Sequence, residues 1–125
     1  MTGRAIVYWV TTGLVTIVLG VSGVLAIVHA PLMMKGLAHL GYPPYFSNIL
    51  GVGKLLGLVI FLAPRLPRLK EWVYAGFTIT VLSACYSHFS SGDGLLAFEP
   101  LATFAVLMLS YVTRPTNRKL AGEKV

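Results

Sequence analysis

From Ala5 to Val28 the chain carries no charged side chain. The run exceeds the roughly 20 apolar residues that a helix needs to cross a bilayer core. In water such a helix would have to be covered on every side, and a chain of 125 residues has little mass to do that. Arg4 before the run and Val28-His29-Ala30 at its end imitate a signal peptide. The apolar core is too long for one, however, and Pro31 would follow the cut, so a membrane span is expected. Gly13, Thr16, Gly20 and Gly23 recur three or four residues apart along it, a small-residue seam suited to close helix contact.

Three further apolar runs follow, and the pattern predicts an all-α fold. It reads as an integral membrane four-helix up-down bundle forming one domain over 1–125, with spans at about 5–28, 45–63, 72–89 and 95–112. Between the first two, Met33, Met34, Leu37 and Leu40 alternate with Lys35 and His39. This predicts a short interfacial amphipathic helix, ended by Gly41 and Pro43-Pro44. Tyr42, Tyr45 and Phe46 fit an aromatic belt at one surface, and Trp72 and Tyr74 serve as interface anchors after the third connector. Pro64 to Glu71 reads as a basic loop, Ser90 to Gly94 as a tight turn, and the tail from Thr113 onward as frayed.

Composition agrees with a lipid environment. The chain is 56% hydrophobic and 11% charged, whereas a soluble domain carries about 25% charged residues. The net charge of +6 could suggest nucleic acid, but its distribution points to topology instead. Arg4, Arg65, Arg68, Lys70, Arg114, Arg118, Lys119 and Lys124 fall on one side, and only Lys35 on the other. Eight against one predicts a multi-pass protein of the bacterial cytoplasmic (inner) membrane, with both termini cytoplasmic and no nucleic-acid partner. Cys85 is the only cysteine, so no intrachain disulfide or paired-cysteine redox centre can form, and no metal site is expected.

Lys54 lies inside the second span, where an ammonium costs about 2.5–3.5 kcal/mol at mid-bilayer. It needs a partner, a wet cavity or a function. Counting from the outer surface, Ser83, Ser87 and His88 on the third span and Glu99 on the fourth reach the same outer half of the bundle, with His29 ending the first span at that level. Tyr45 and Tyr86 would border the entrance. The candidate ligand-binding set is thus Lys54, His88, Glu99, Ser83, Ser87, Tyr45 and Tyr86. Each has a plainer reading. Hydroxyls in membrane helices bond their own backbone, Glu99 suits a helix N-terminus, and a lysine can snorkel along its stem.

The pieces Leu40-Gly41-Tyr42-Pro43, Tyr45-Phe46, Leu50-Gly51 and Lys54-Leu55-Leu56-Gly57 resemble the DoxX-like membrane proteins, four-span bacterial proteins related to the DoxX and MauE groups. Pro67-Arg68-Leu69-Lys70-Glu71-Trp72, Tyr74-Ala75-Gly76-Phe77, Ser87-His88 and Gly92-Asp93 extend the resemblance over roughly residues 20 to 112. It implies a cytoplasmic-membrane bundle and an association with thiosulfate–quinone oxidoreduction, with oxidative-stress complexes containing a sulfurtransferase, or with electron-transfer maturation. It implies no mechanism.

The reading that follows is a redox-associated subunit binding a lipophilic, quinone-like molecule or docking a soluble or membrane redox partner. Protohaem on His29 or His88 is the weaker cofactor variant. A small transporter is the alternative, although the first span has no acidic residue. A four-span reductase of the epoxide type would need cysteine pairs. A structural or chaperone subunit, or a homo-oligomer packed through glycine seams, also fits the sequence.

Overall fold

A computed structural model of the chain describes residues 2–120 and 122. Those residues form five α-helices and no strand: α1 (Gly3–Ile27), α2 (Pro31–His39), α3 (Phe46–Leu62), α4 (Pro67–Ser90) and α5 (Phe98–Val112), followed by a 3-10 turn, Thr116–Arg118. The sequence dictates most of these boundaries locally. Thr2 caps α1 by accepting the Ala5 amide at 3.1 Å. Pro31 and Pro67 open α2 and α4, where a missing N–H costs nothing. Gly41 and Gly92 take the positive φ that their turns require.

The connector between α3 and α4 departs from the expected basic loop. α4 begins at Pro67 rather than near Trp72, which leaves only Ala63 to Leu66 for the reversal. Arg65 and Leu66 both adopt left-handed conformations, at a cost of about 1–2 kcal/mol each. Lys70 holds this turn in place. It is 1% exposed, and its ammonium donates to the carbonyls of Ile60 and Ala63 at the open end of α3. The tail does not fray at Thr113 but folds back over the same end. Arg118, 6% exposed, donates to Phe61 O and Leu62 O at 3.3 Å each, and its guanidinium lies 5.0 Å over the Trp9 ring. Two cations thus satisfy the C-terminal carbonyls of a helix with no basic residue in its own last turn. Lys124 lies outside the described residues.

α1 packs on α3 and α5, and α4 packs on the same two helices. Val15, Leu19, Leu58, Phe61, Tyr74, Phe77 and Leu107 form the core, with Phe61 edge-on to both Tyr74 and Phe77. Opposite its buried stripe, α1 turns Val10, Ile17 and Val21 outward, each more than half exposed. It is long and apolar enough to cross a membrane; α3 and α5 are shorter apolar helices.

Not every glycine of the expected α1 seam is used. A Cβ on Gly13 would meet nothing within 4 Å. On Gly51 it would lie 2.7 Å from Ile27 Cγ1 and 3.0 Å from Gly23 O, so α1 and α3 touch there through bare backbone. Gly51→Ala should therefore destabilise the protein by about 1–3 kcal/mol through overpacking. Gly13→Ala should stabilise it by up to about 1 kcal/mol, because a helical glycine loses more backbone entropy. Unfolding of both variants in detergent micelles, followed by circular dichroism, checks the opposite signs.

Candidate functional site

Polar residues gather at two levels. At the end where the termini meet, Arg4 donates to Val112 O at 2.9 Å. Just inside, the Ser110 hydroxyl bonds both Thr12 Oγ1 and the Tyr74 hydroxyl, each at 2.7 Å, with Tyr8 buried alongside. Tyr74 is thus a core residue, 3% exposed, and not the interface anchor its position after Trp72 suggested. Glu71 closes the network by accepting from Tyr111 at 2.9 Å and pairing with Arg114, whose guanidinium stacks 3.8 Å over the Tyr111 ring. Every buried side-chain polar atom among the described residues has a partner. This network binds α1, α4, α5 and the tail to one another, and its chemistry is complete without a ligand.

Towards the opposite end the arrangement is open. An open-sided cleft of about 670 Å³ lies among α1, α3, α4 and α5, with Ser22, Lys54, Thr80, Glu99 and Thr103 on otherwise apolar walls. Lys54 is half-buried and donates to Ser22 Oγ at 3.1 Å. Glu99, in the first turn of α5 where a carboxylate suits the helix dipole, accepts from Thr103 Oγ1 at 3.0 Å. Lys54 and Glu99 sit on different walls of the cleft, Lys54 donating to a hydroxyl and Glu99 accepting from one. Such a site offers three donor hydrogens on a cation, a carboxylate and hydroxyls of either role. Lys54 and Thr80 also line a second cleft, of about 380 Å³, between α3 and α4.

The other candidate residues stand elsewhere. Ser83, Ser87 and Tyr86 line a shallow groove with Tyr42, whose hydroxyl bonds Ser87 Oγ at 2.6 Å. Tyr45 precedes α3 and is 66% exposed. His88 Nδ1 contacts Asp93 Oδ2 at 3.2 Å, and the same carboxylate receives His39 Nε2 at 2.7 Å. Asp93 therefore ties α2 to the end of α4, a link that a turn aspartate alone does not announce. His29 is bonded through Nε2 to Asn48 at 2.6 Å. Neither His29 nor His88 is among the residues lining the Lys54 cleft. Among the described residues, no three His, Cys, Asp or Glu side chains are grouped to hold a metal ion.

The described residues thus define a small all-helical protein with an apolar exterior and an open cleft that holds Lys54 and Glu99. The model of the DoxX-like family matches residues 10–112, and the chain belongs to that family. Comparisons with curated proteins and with solved structures give no match.

The Asp93 carboxyl is held below the usual carboxylate range, first by the hydrogen bond from His88 and then by His39, with partial desolvation opposing them. A depressed carboxylate contributes stability above its unfolded pKa and loses it as pH falls through the folded value. The melting temperature should accordingly drop as pH falls below about 4. Asp93→Asn should flatten that acid limb, which melts recorded from neutral pH downward would check.

Proposed function

We propose that this chain is an inner-membrane protein whose four helices α1, α3, α4 and α5 span the bilayer up and down, with both termini cytoplasmic. Within it, the Lys54 cleft binds a lipophilic small molecule of quinone-like chemistry. The DoxX-like family is a membrane family. Ile17, Val59, Ile79 and Val112, one from each of those helices, are each at least 59% exposed, an apolar exterior that water would not tolerate on a small monomer. Phe46–Leu62 and Phe98–Val112 are short for a ~30 Å core, a mismatch that local thinning and the aromatic belt accommodate.

One observation carries the binding reading: a cation and a carboxylate face one apolar cleft without being paired to each other. A ring bearing two oxygens at opposite edges suits that donor set. Lys54 would donate to one oxygen, and in the reduced, hydroquinone form the hydroxyl at the opposite edge would donate to the Glu99 carboxylate. Hydrogen bonds from charged donors gain strength where water is excluded. Ser83, Ser87, Tyr86 and His88 lie towards the outer surface and would shape the approach, and Tyr45 would lie at the headgroup level. A redox-associated role, in which the bound molecule serves a partner oxidoreductase, follows the family association. A proton-coupled transporter would need the Glu99 carboxylate to be reached alternately from the two sides, and its place in the first turn of α5 gives little support to that.

Two experiments test this reading. In a Cys85→Ser background, a cysteine at exposed Thr116 should react only with cytoplasmic reagents and one at exposed Gly94 only with external ones; the reverse pattern overturns the orientation. In detergent-purified protein, Lys54→Met should weaken quinone-analogue binding at least ~10-fold, or about 1.4 kcal/mol, with the helical signal unchanged. Binding that is the same in Lys54→Met and Glu99→Gln would favour a structural or chaperone subunit.

A further inference from the structure

The cleft between α3 and α4 differs in kind from the larger one it adjoins. Apart from Lys54 and Thr80, which line both, its walls are apolar: Ile49, Ile60, Leu69 and Trp72 mark its length. It follows α3 from Ile49 to Ile60, about 16 Å at 1.5 Å per residue. Its width comes from two glycines. A Cβ on Gly53 or on Gly76 would meet no atom within 4 Å, so these positions border space and not a neighbouring helix. Gly57, one turn further on, is different: its Cβ would meet Phe77 Cε1 at 2.8 Å, and there the two helices close on each other.

Beyond its junction with the head site the trough is lined by hydrocarbon, with the indole N–H of exposed Trp72 as the exception, and such a surface suits a hydrocarbon chain better than a polar group. We infer that the ligand of the Lys54 cleft is a single-tailed amphiphile, whose head sits at Lys54 and Thr80 and whose tail runs along the Gly53–Gly76 trough between α3 and α4. This rests on the binding reading proposed above and narrows it from lipophilic molecules in general to those with one long apolar chain. The tail gains no hydrophobic energy on moving from lipid into the trough, since both are apolar. The trough therefore selects by shape and sets the direction of entry, sideways from the bilayer.

The test uses full-length protein in detergent and two probes: a benzoquinone carrying a decyl tail, and the same ring without the tail. Gly53→Leu and Gly76→Leu fill the trough without a clash at Cβ, and Ile49→Trp, at a position 58% exposed, narrows it independently. Each variant should weaken binding of the tailed probe at least ~10-fold and change the tailless probe less than ~2-fold, whereas Lys54→Met should weaken both. Unchanged binding of the tailed probe in all three trough variants, with Lys54→Met still impaired, overturns the tail path and leaves the head site standing. Equal loss of both probes in the trough variants also overturns it. If the unaltered protein binds neither probe, the head site fails, and the tail path fails with it.

Discussion

The backbone contact between α1 and α3 at Gly23 and Gly51 sets the position of Lys54, the charge around which the polar cleft is built. A Cβ on Gly23 would fall 3.2 Å from Lys54 Cβ, so the same absence of a side chain that lets the helices meet also brings the lysine stem against α1. From there its ammonium reaches Ser22, one residue before Gly23. A larger residue at either glycine would push Lys54 away from Ser22 and widen the cleft. Packing and site geometry are therefore a single constraint in this chain. In lipid, where apolar surface gains nothing by leaving its surroundings, such close backbone packing supplies much of the helix association.

The two polar levels divide the work. Near the termini, Lys70 and Arg118 serve the open carbonyls of α3, Arg4 serves α5, and Ser110 joins α1 to α4 through Thr12 and Tyr74. Positive charges that the proposed topology would place on the cytoplasmic side thus also act as helix caps, consistent with the preference of cations for helix C-termini. Breaking such a buried set is costly, about 3–5 kcal/mol where one charge is left unpaired, and this end is built to stay fixed. At the far end, contacts are single hydrogen bonds between hydroxyls, histidines and Asp93, spread around clefts that are open on their sides. That end is the one with room to adapt.

The helices were legible because each is an apolar run bounded by proline, glycine or charge. The starts of α4 and α5 were the exceptions, α5 opening at Phe98 because Leu95 and Leu96, apolar as they are, belong to the turn. Pro67 is a helix-opening signal, but Arg68, Lys70 and Glu71 after it read as loop. Only the fold supplies the carbonyls that bury Lys70, and they come from the preceding helix. The Thr12–Ser110 bond joins positions 98 residues apart, a separation over which no periodicity in the sequence speaks. Lys54 announced itself as a charge inside an apolar run. Its partner did not, because Ser22 also bonds its own helix through Leu19 O at 3.2 Å, the ordinary habit of a membrane serine. Asp93 carried a turn signature that concealed its bond to His39, 54 residues earlier. Glu99 was visible as a charge at a helix start and was expected at the level of Lys54, with which it lines one cleft; His88, expected there too, is held by Asp93 instead.

The unmade contact between Lys54 and Glu99 is the strongest physical argument for the proposed ligand. Had the pair served stability alone, the simplest arrangement would join them directly, cancel both charges and let the surrounding helices close. Instead Lys54 donates to a hydroxyl on α1, Glu99 accepts from a hydroxyl one turn along its own helix, and both line a space of about 670 Å³. Holding opposite charges apart in an apolar setting forgoes Coulomb energy that direct contact would release. A molecule that accepts from Lys54 at one edge and donates a hydroxyl to Glu99 at the other recovers part of that energy on binding. This favours a ligand with two separated oxygen functions over a single-headed detergent or a plain hydrocarbon. The trough between α3 and α4 then has a defined relation to the head site, because Lys54 and Thr80 form the wall common to both spaces. A tail lying there would leave the ring on the side of Ser22 and Glu99, where the polar groups are.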